Sequence, residues 1–284
     1  MKNKNLWRIV SSSALALVLA VMLFGVNLII GLNLGMFRNR TIEDAVRDSK
    51  FYDESYERLQ GEINHMLSDT EVPPEIVFEV VSLKHFYIDT RTYLQKLLAS
   101  NSSNVEKTAA IQVEEIEAAL VQYYEGTGVG ITVEGKESIQ VLAASVLDVY
   151  KEQMDFGLGE MIVEYRSTFM KLSAIVVAAT LTLGGIAFLA IYKMYKKLYS
   201  VLGYVAVSVV GASVMILAFT FLVSSRVDYT TIFQQSAYYQ NFIDRYVSES
   251  VKALLYPAGI GVIVCSVLIL MIKELRLRAI KQAY

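Results

Sequence analysis

The chain has 284 residues, 54% of them apolar and 19% charged, with a formal net charge of −2 and a single cysteine. Near-neutrality gives no basic footprint for nucleic acid, and the lone Cys265 excludes an internal disulfide and a cysteine-based zinc site. Soluble domains sit nearer a quarter charged; the lower value here averages two populations, four uncharged stretches (9–37, 172–192, 198–224 and 253–272) and the charged segments around them.

A spanning helix needs about 20 apolar residues, because the hydrocarbon core is ~30 Å thick and a helix rises ~1.5 Å per residue. All four stretches qualify. After a cytoplasmic start at 1–8, the first stretch exceeds the roughly 7–15-residue core of a signal peptide. No small-x-small cleavage site stands at its outer end, Asn33-Leu34-Gly35-Met36-Phe37, so it is expected to stay as an anchor. A large helical domain follows at 38–171. Thr41 and Asp44 resemble a capping box opening a helix to about 68. Tyr52, Tyr56, Leu59, Ile63 and Met66 share one face of it. Pro73-Pro74 suit the first turn of a second helix, which reaches about 100 with a break near Ser82. Its inward side is Phe86, Tyr93, Leu94, Leu97 and Leu98. Asn101-Ser102-Ser103-Asn104 reads as a turn. Asn104 is expected to cap a third helix that turns Ile111 or Val113, Ile116, Leu120 and Tyr123 or Tyr124 inward. Gly126, Gly128 and Gly130 then form a flexible link.

The last helix of this domain starts near Gly135 and carries Ile139, Leu142, Val146, Val149 and Tyr150 on its apolar side. No proline intervenes between 138 and 192, which predicts one helix running unbroken into the second span, 172–192. The alternative is a hinge at Gly157 and Gly159, since each glycine costs a helix about 1 kcal/mol relative to alanine. A short turn, 193–197, leads to the third span, 198–224. The aromatic-rich segment 225–252 has two readings. One is a belt at the outer interface that includes Tyr229, Phe233 and Tyr238. The other is a helix with Tyr239, Phe242, Tyr246 and Ala253 on one face, lying on the membrane or docking under the bundle. The fourth span, 253–272, with Pro257 in its first turns, precedes the tail 273–284.

The charges orient this arrangement. Lys2, Lys4 and Arg8 precede the first span, Lys193, Lys196 and Lys197 fill the turn, and Lys273, Arg276, Arg278 and Lys281 follow the fourth. Lysine and arginine collect on cytoplasmic flanks, so both termini are expected in the cytoplasm. The segments 38–171 and 225–252 then lie outside. The longer one holds roughly twice as many Asp and Glu as Lys and Arg. The fold expected is all-α: four transmembrane helices with an extracytoplasmic up-and-down helical bundle between the first and second.

Candidate chemistry is sparse. Glu62 and His65 have the Glu-x-x-His spacing of di-iron bundles, but the required second copy is absent. Glu114, Glu115, Glu117 and Glu125 lack the alternating ligands and glycine of a calcium loop. Gly126-Thr127-Gly128-Val129-Gly130 lacks both phosphate-loop endings. None of the four uncharged stretches holds an Asp, Glu, Lys, Arg or His, which argues against a self-sufficient pump or intramembrane protease. No catalytic residue, metal or cofactor is expected. Gly31-x-x-x-Gly35, Gly184-Gly185, Gly203 and Gly211 are the candidate positions for close helix packing.

The lysine-rich start, the Pro73-Pro74-Glu75 opening and the cysteine-free outer domain resemble uncharacterised four-span envelope membrane proteins of Gram-positive bacteria. The layout differs from tetraspanins and claudin-like proteins, which need paired cysteines in their loops. The resemblance implies an address, the plasma membrane, and no activity. The expected role is non-enzymatic: interaction or sensing through the acidic domain. The partners would be the lipid bilayer, other membrane or envelope proteins, or a second copy of the chain. Alternatives are a subunit of an oligomeric channel or transport system, and an interfacial enzyme acting on lipid or cell-wall substrate.

Overall fold

The computed structural model describes residues 2–100, 104–128, 130–226 and 237–281. Asn101, Ser102, Ser103, Val129, Tyr229 and Phe233 lie outside them. Among the described residues every regular element is a helix: α1 (Lys2–Leu34), α2 (Asn39–Asp48), α3 (Phe51–Leu67), α4 (Pro74–Val80), α5 (Leu83–Ala99), α6 (Val113–Gly126), α7 (Val133–Gln153), α8 (Gly157–Tyr195), α9 (Leu198–Arg226), α10 (Ala237–Ala253) and α11 (Leu255–Lys281). The chain forms two compact units. One comprises 1–41, 168–233 and 244–284; the other comprises 42–167 and 234–243.

Four helical segments are long and apolar enough to cross a membrane: Leu6–Leu34, Gly157–Tyr195, Leu198–Ser225 and Tyr239–Lys281. They are compatible with a polytopic membrane protein. The last segment is two helices, because α10 stops at Ala253 and α11 starts at Leu255. Pro257 accounts for the stop: it has no N–H for the carbonyl four residues back, that of Ala253, and its ring crowds that carbonyl. Ile216, Leu254 and Ala258 form a buried cluster, against which Phe24, Leu28, Leu32 and Phe219 pack. The Ser208 hydroxyl donates to the Ala16 carbonyl at 2.8 Å, tying α9 to α1. On α8, Ser173, Thr180, Ala187 and Ile191 are buried, while Ile175 and Leu181 point outward. Spacings of seven, seven and four place the buried four on one seam.

The second unit has a conventional core. Leu59, Ile63, Leu97, Ile116, Leu120 and Val146 are fully buried. Of the stripe read on α3, Tyr52, Tyr56, Leu59 and Ile63 are buried, but Leu67 takes the inward place expected for Met66. The helix expected from Thr41 to about 68 is two. Thr41 lies inside α2, so it caps nothing, and the break falls at Lys50, which adopts the left-handed conformation at φ 58°. The Ser49 hydroxyl turns back to the Val46 carbonyl there (3.1 Å), and Phe51 is then buried. The break near Ser82 is present: the Ser82 hydroxyl accepts from the His85 amide and caps α5.

Two further expectations change. Asn104 does not start a helix; 104–112 is irregular and α6 begins at Val113. The reason is local, since Ala109 and Ile111 are buried and the Ala110 amide is claimed by the Asp89 carboxylate. Nor is the helix unbroken from 138 to 192: α7 ends at Gln153 and α8 begins at Gly157. Phe156, in the gap, is buried among Phe51 (ring centroids 5.3 Å) and Phe242 (4.9 Å), so the chain turns to place this ring inward. Tyr239 joins the same aromatic cluster, and its hydroxyl accepts from the Leu158 amide at 2.9 Å. Of the two readings of the aromatic segment, docking describes Tyr239 and Phe242. Replacing Phe242 with alanine should cost about 3–5 kcal/mol in urea unfolding of the full chain followed by circular dichroism. A loss near zero would contradict the cluster's place in the core.

Candidate functional site

Within the first unit, the glycines mark where backbones meet. A Cβ at Gly31 would stand 2.6 Å from Leu254 Cδ2 and 3.1 Å from its Cα. One at Gly35 would stand 2.7 Å from the Ser250 carbonyl oxygen and 2.9 Å from Ala253 Cβ. At that end of α1 the Tyr246 hydroxyl donates to the Met36 carbonyl at 2.6 Å. Gly211 faces Ala20 (3.2 Å) and Gly184 faces Leu19 (3.4 Å), whereas Gly185 and Gly203 have nothing within 4 Å. Gly261, not singled out from the sequence, lies against the Ser213 side chain. Its signal was its place in an uncharged stretch beside Gly259, with no spacing motif to distinguish it.

Within the second unit, Gly157 opens α8 with open space around it. Gly159 sits under the Phe156 ring, with Leu97 Cδ2 at 3.1 Å from a Cβ there. Glu62 and His65 do not converge on further ligands. Glu62 Oε1 accepts from Gln153 Nε2 (3.0 Å) and from Arg58 Nε (3.3 Å), and no three His, Cys, Asp or Glu side chains gather as a metal site among the described residues. Glu114 and Glu115 occupy the first turn of α6, where carboxylates favour the helix dipole.

The buried polar groups form a strap across this unit. Asp89, only 5% exposed, stands on the apolar side of α5 between Phe86 and Tyr93. Its Oδ2 accepts from the Ala110 amide (2.8 Å) and from the Tyr150 hydroxyl (2.9 Å). Burial, then this bond, raises the Tyr150 phenol well above its ordinary value. Tyr93 donates to Glu160 at 2.7 Å and is raised likewise, by burial first. Lys107 pairs with Asp155 at 3.1 Å and lies over the Tyr93 ring. Burial pushes Tyr52 up to about 12. These groups are matched to one another and hold 104–112 against α5 and α7. An aspartate three residues after one inward aromatic and four before another was the available sequence signal for this clasp.

The open feature lies elsewhere on the unit. Tyr124, Ile131, Ile139 and Leu142, with Thr70 and Ser138, line a cleft of about 400 Å³ where α6 ends and α7 begins. Gly128, at φ 75°, supplies the left-handed turn after α6. The Thr132 hydroxyl accepts from the Gly135 amide (3.1 Å) and starts α7. Tyr123 fastens the end of α6 to the Glu71 carbonyl at 3.0 Å. Ser138 and Leu142 continue into a shallower groove with Met66, Val141, Glu134 and Glu137. The walls carry no nucleophile–base pair; their chemistry is that of contact with an apolar body.

Asp89→Ala would strand the Ala110 amide and the Tyr150 hydroxyl, each at about 1–3 kcal/mol. A loss of roughly 2–6 kcal/mol is expected, against about 1 kcal/mol for Tyr150→Phe, which leaves the Ala110 bond intact. Chemical unfolding of the two variants checks this, and equal losses would contradict the clasp. No family model, curated protein or solved structure matches the chain, so its function is argued from these residues alone.

Proposed function

We propose that this is a multi-pass plasma-membrane protein with both termini and the 193–197 turn in the cytoplasm. Its acidic helical unit lies outside and binds a protein or envelope component, or senses one, within a larger membrane complex. The observation that carries the reading is the partition of charge. Residues 42–167 hold 24 of the 28 Asp and Glu but 10 of the 26 Lys and Arg. Of the basic residues flanking the apolar helices, ten fall at the amino end, the 193–197 turn and the tail, against six (Arg38, Arg40, Lys171, Arg226, Arg245 and Lys252) at their other ends, and the excess is that of cytoplasmic segments. The apolar cleft gives the outer unit a surface suited to binding, and we read the chain as non-enzymatic. The buried span hydroxyls support this reading over a channel subunit: Ser173, Ser208, Ser213 and Thr220 donate to helix carbonyls and so serve packing.

The topology is tested with single cysteines in a Cys265→Ala background. Glu114→Cys, on an exposed face of α6, should react with an impermeant maleimide on intact cells. Glu274→Cys, in the last helix, should react only after permeabilisation. Labelling of the Glu274 position from outside, or protection of the Glu114 position, would contradict the orientation.

A further inference from the structure

We propose that the cleft at the start of α7 is a binding site for a small amphiphilic cation, a single apolar chain or ring system carrying one positive headgroup. The inference rests on the reading of this unit as a binding domain and names the ligand class. Three observations carry it. The cleft encloses about 400 Å³, within the roughly 300–1,000 Å³ of small-molecule sites. Its walls are Tyr124, Ile131, Ile139 and Leu142, with the hydroxyls of Thr70 and Ser138 as the polar minority, the composition of a site that takes an apolar body. The groove that continues it carries Glu134 and Glu137, one turn apart on α7.

Those carboxylates have no ion-pair partner among the described residues. Lys136 is the nearest base in sequence, but two residues' rotation carries it to the other side of α7 from Glu134. An anionic amphiphile would meet both carboxylates and the acidic excess of the whole unit. A neutral one would leave the charged rim without a counterpart. A cation places its tail between Ile139 and Tyr124 and its headgroup at the rim, where an exposed pair of carboxylates attracts it without the cost of a buried charge. Val141, 66% exposed, lines that groove and extends its apolar surface.

The test uses the full chain in phosphatidylcholine nanodiscs, titrated calorimetrically with dodecyltrimethylammonium below its micelle concentration, with empty nanodiscs as blank. Saturable one-to-one binding above the blank is expected. Ser138→Phe fills the junction of cleft and groove; Ser138 is exposed and its hydroxyl serves only its own helix, at the Glu134 carbonyl, so folding should persist by circular dichroism while binding weakens at least about ten-fold. Glu134→Gln with Glu137→Gln should weaken binding about ten-fold at low salt and by less at high salt. No binding above the blank, binding unchanged by Ser138→Phe, or equal binding of dodecyl sulfate would overturn the proposal. So would a basic amphipathic peptide that binds in a Ser138→Phe-sensitive way while the small cation does not, since the groove would then belong to a helix. Nanodiscs expose both faces of the bilayer, so this result is independent of the topology labelling and the two readings fail separately.

Discussion

Helices in hydrocarbon gain little by burying apolar side chains against one another, because lipid tails are as apolar as leucine. What holds them is close packing and hydrogen bonding, and in this chain several close approaches are made where a side chain is missing. Gly31 and Gly35 let the end of α1 meet Ser250, Ala253 and Leu254 backbone to backbone. That approach puts the Tyr246 hydroxyl on the Met36 carbonyl and Leu254 into the cluster shared with Ile216 and Ala258. Gly211 against Ala20 and Gly261 against Ser213 repeat the device at other crossings. Pro257 belongs to the same economy: by ending α10 at Ala253 it creates the turn that Gly31 faces.

The other unit answers to water. Its core is aromatic and aliphatic, its surface is acidic, and its buried polar groups are largely matched to one another: Asp89 to Tyr150 and Ala110, Tyr93 to Glu160, Tyr56 to the Val81 carbonyl. Ser55 and Thr90 are exceptions, buried hydroxyls without a partner. Titratable groups used this way fasten the fold and do not present reactive atoms. In the proposed role, what the unit would offer a ligand is shape and charge, in the cleft of α6 and α7 and the carboxylates at its rim.

Much of this was legible in the sequence because each solvent imposes its own pattern. Uncharged runs of 20 or more residues mark the apolar helices. Spacings of three and four residues marked Leu59, Ile63, Phe86, Leu97 and Val146 as core. What escaped was set by contacts distant in sequence. Nothing near Asn104 says that the Ala110 amide will be taken by Asp89, 21 residues earlier, so a helix was expected where a strap lies. Nothing near Tyr150 says that Phe156 will turn inward to meet Phe242, so a continuous helix was expected where the chain bends. Gly31 and Gly35 could be named from their spacing, but their partner could not, because the end of α10 and the break at Leu254 exist through Pro257 and carry no motif of their own. The cleft was invisible for a similar reason: its walls come from three separate segments.

The assembly of the apolar helices through omitted side chains is tested by placing the same bulk at three glycines, two in α1 and one just after it. Isoleucine at Gly31 or Gly35 must displace backbone, and overpacking of this kind costs about 1–3 kcal/mol or more. Isoleucine at Gly25, which has nothing within 4 Å of a Cβ, meets no such obstacle. In thermal unfolding of the full chain in nanodiscs, the Gly31→Ile and Gly35→Ile proteins should melt several degrees lower, while Gly25→Ile melts with the parent. A parental melt for Gly35→Ile, or an equal loss at Gly25, would contradict the account.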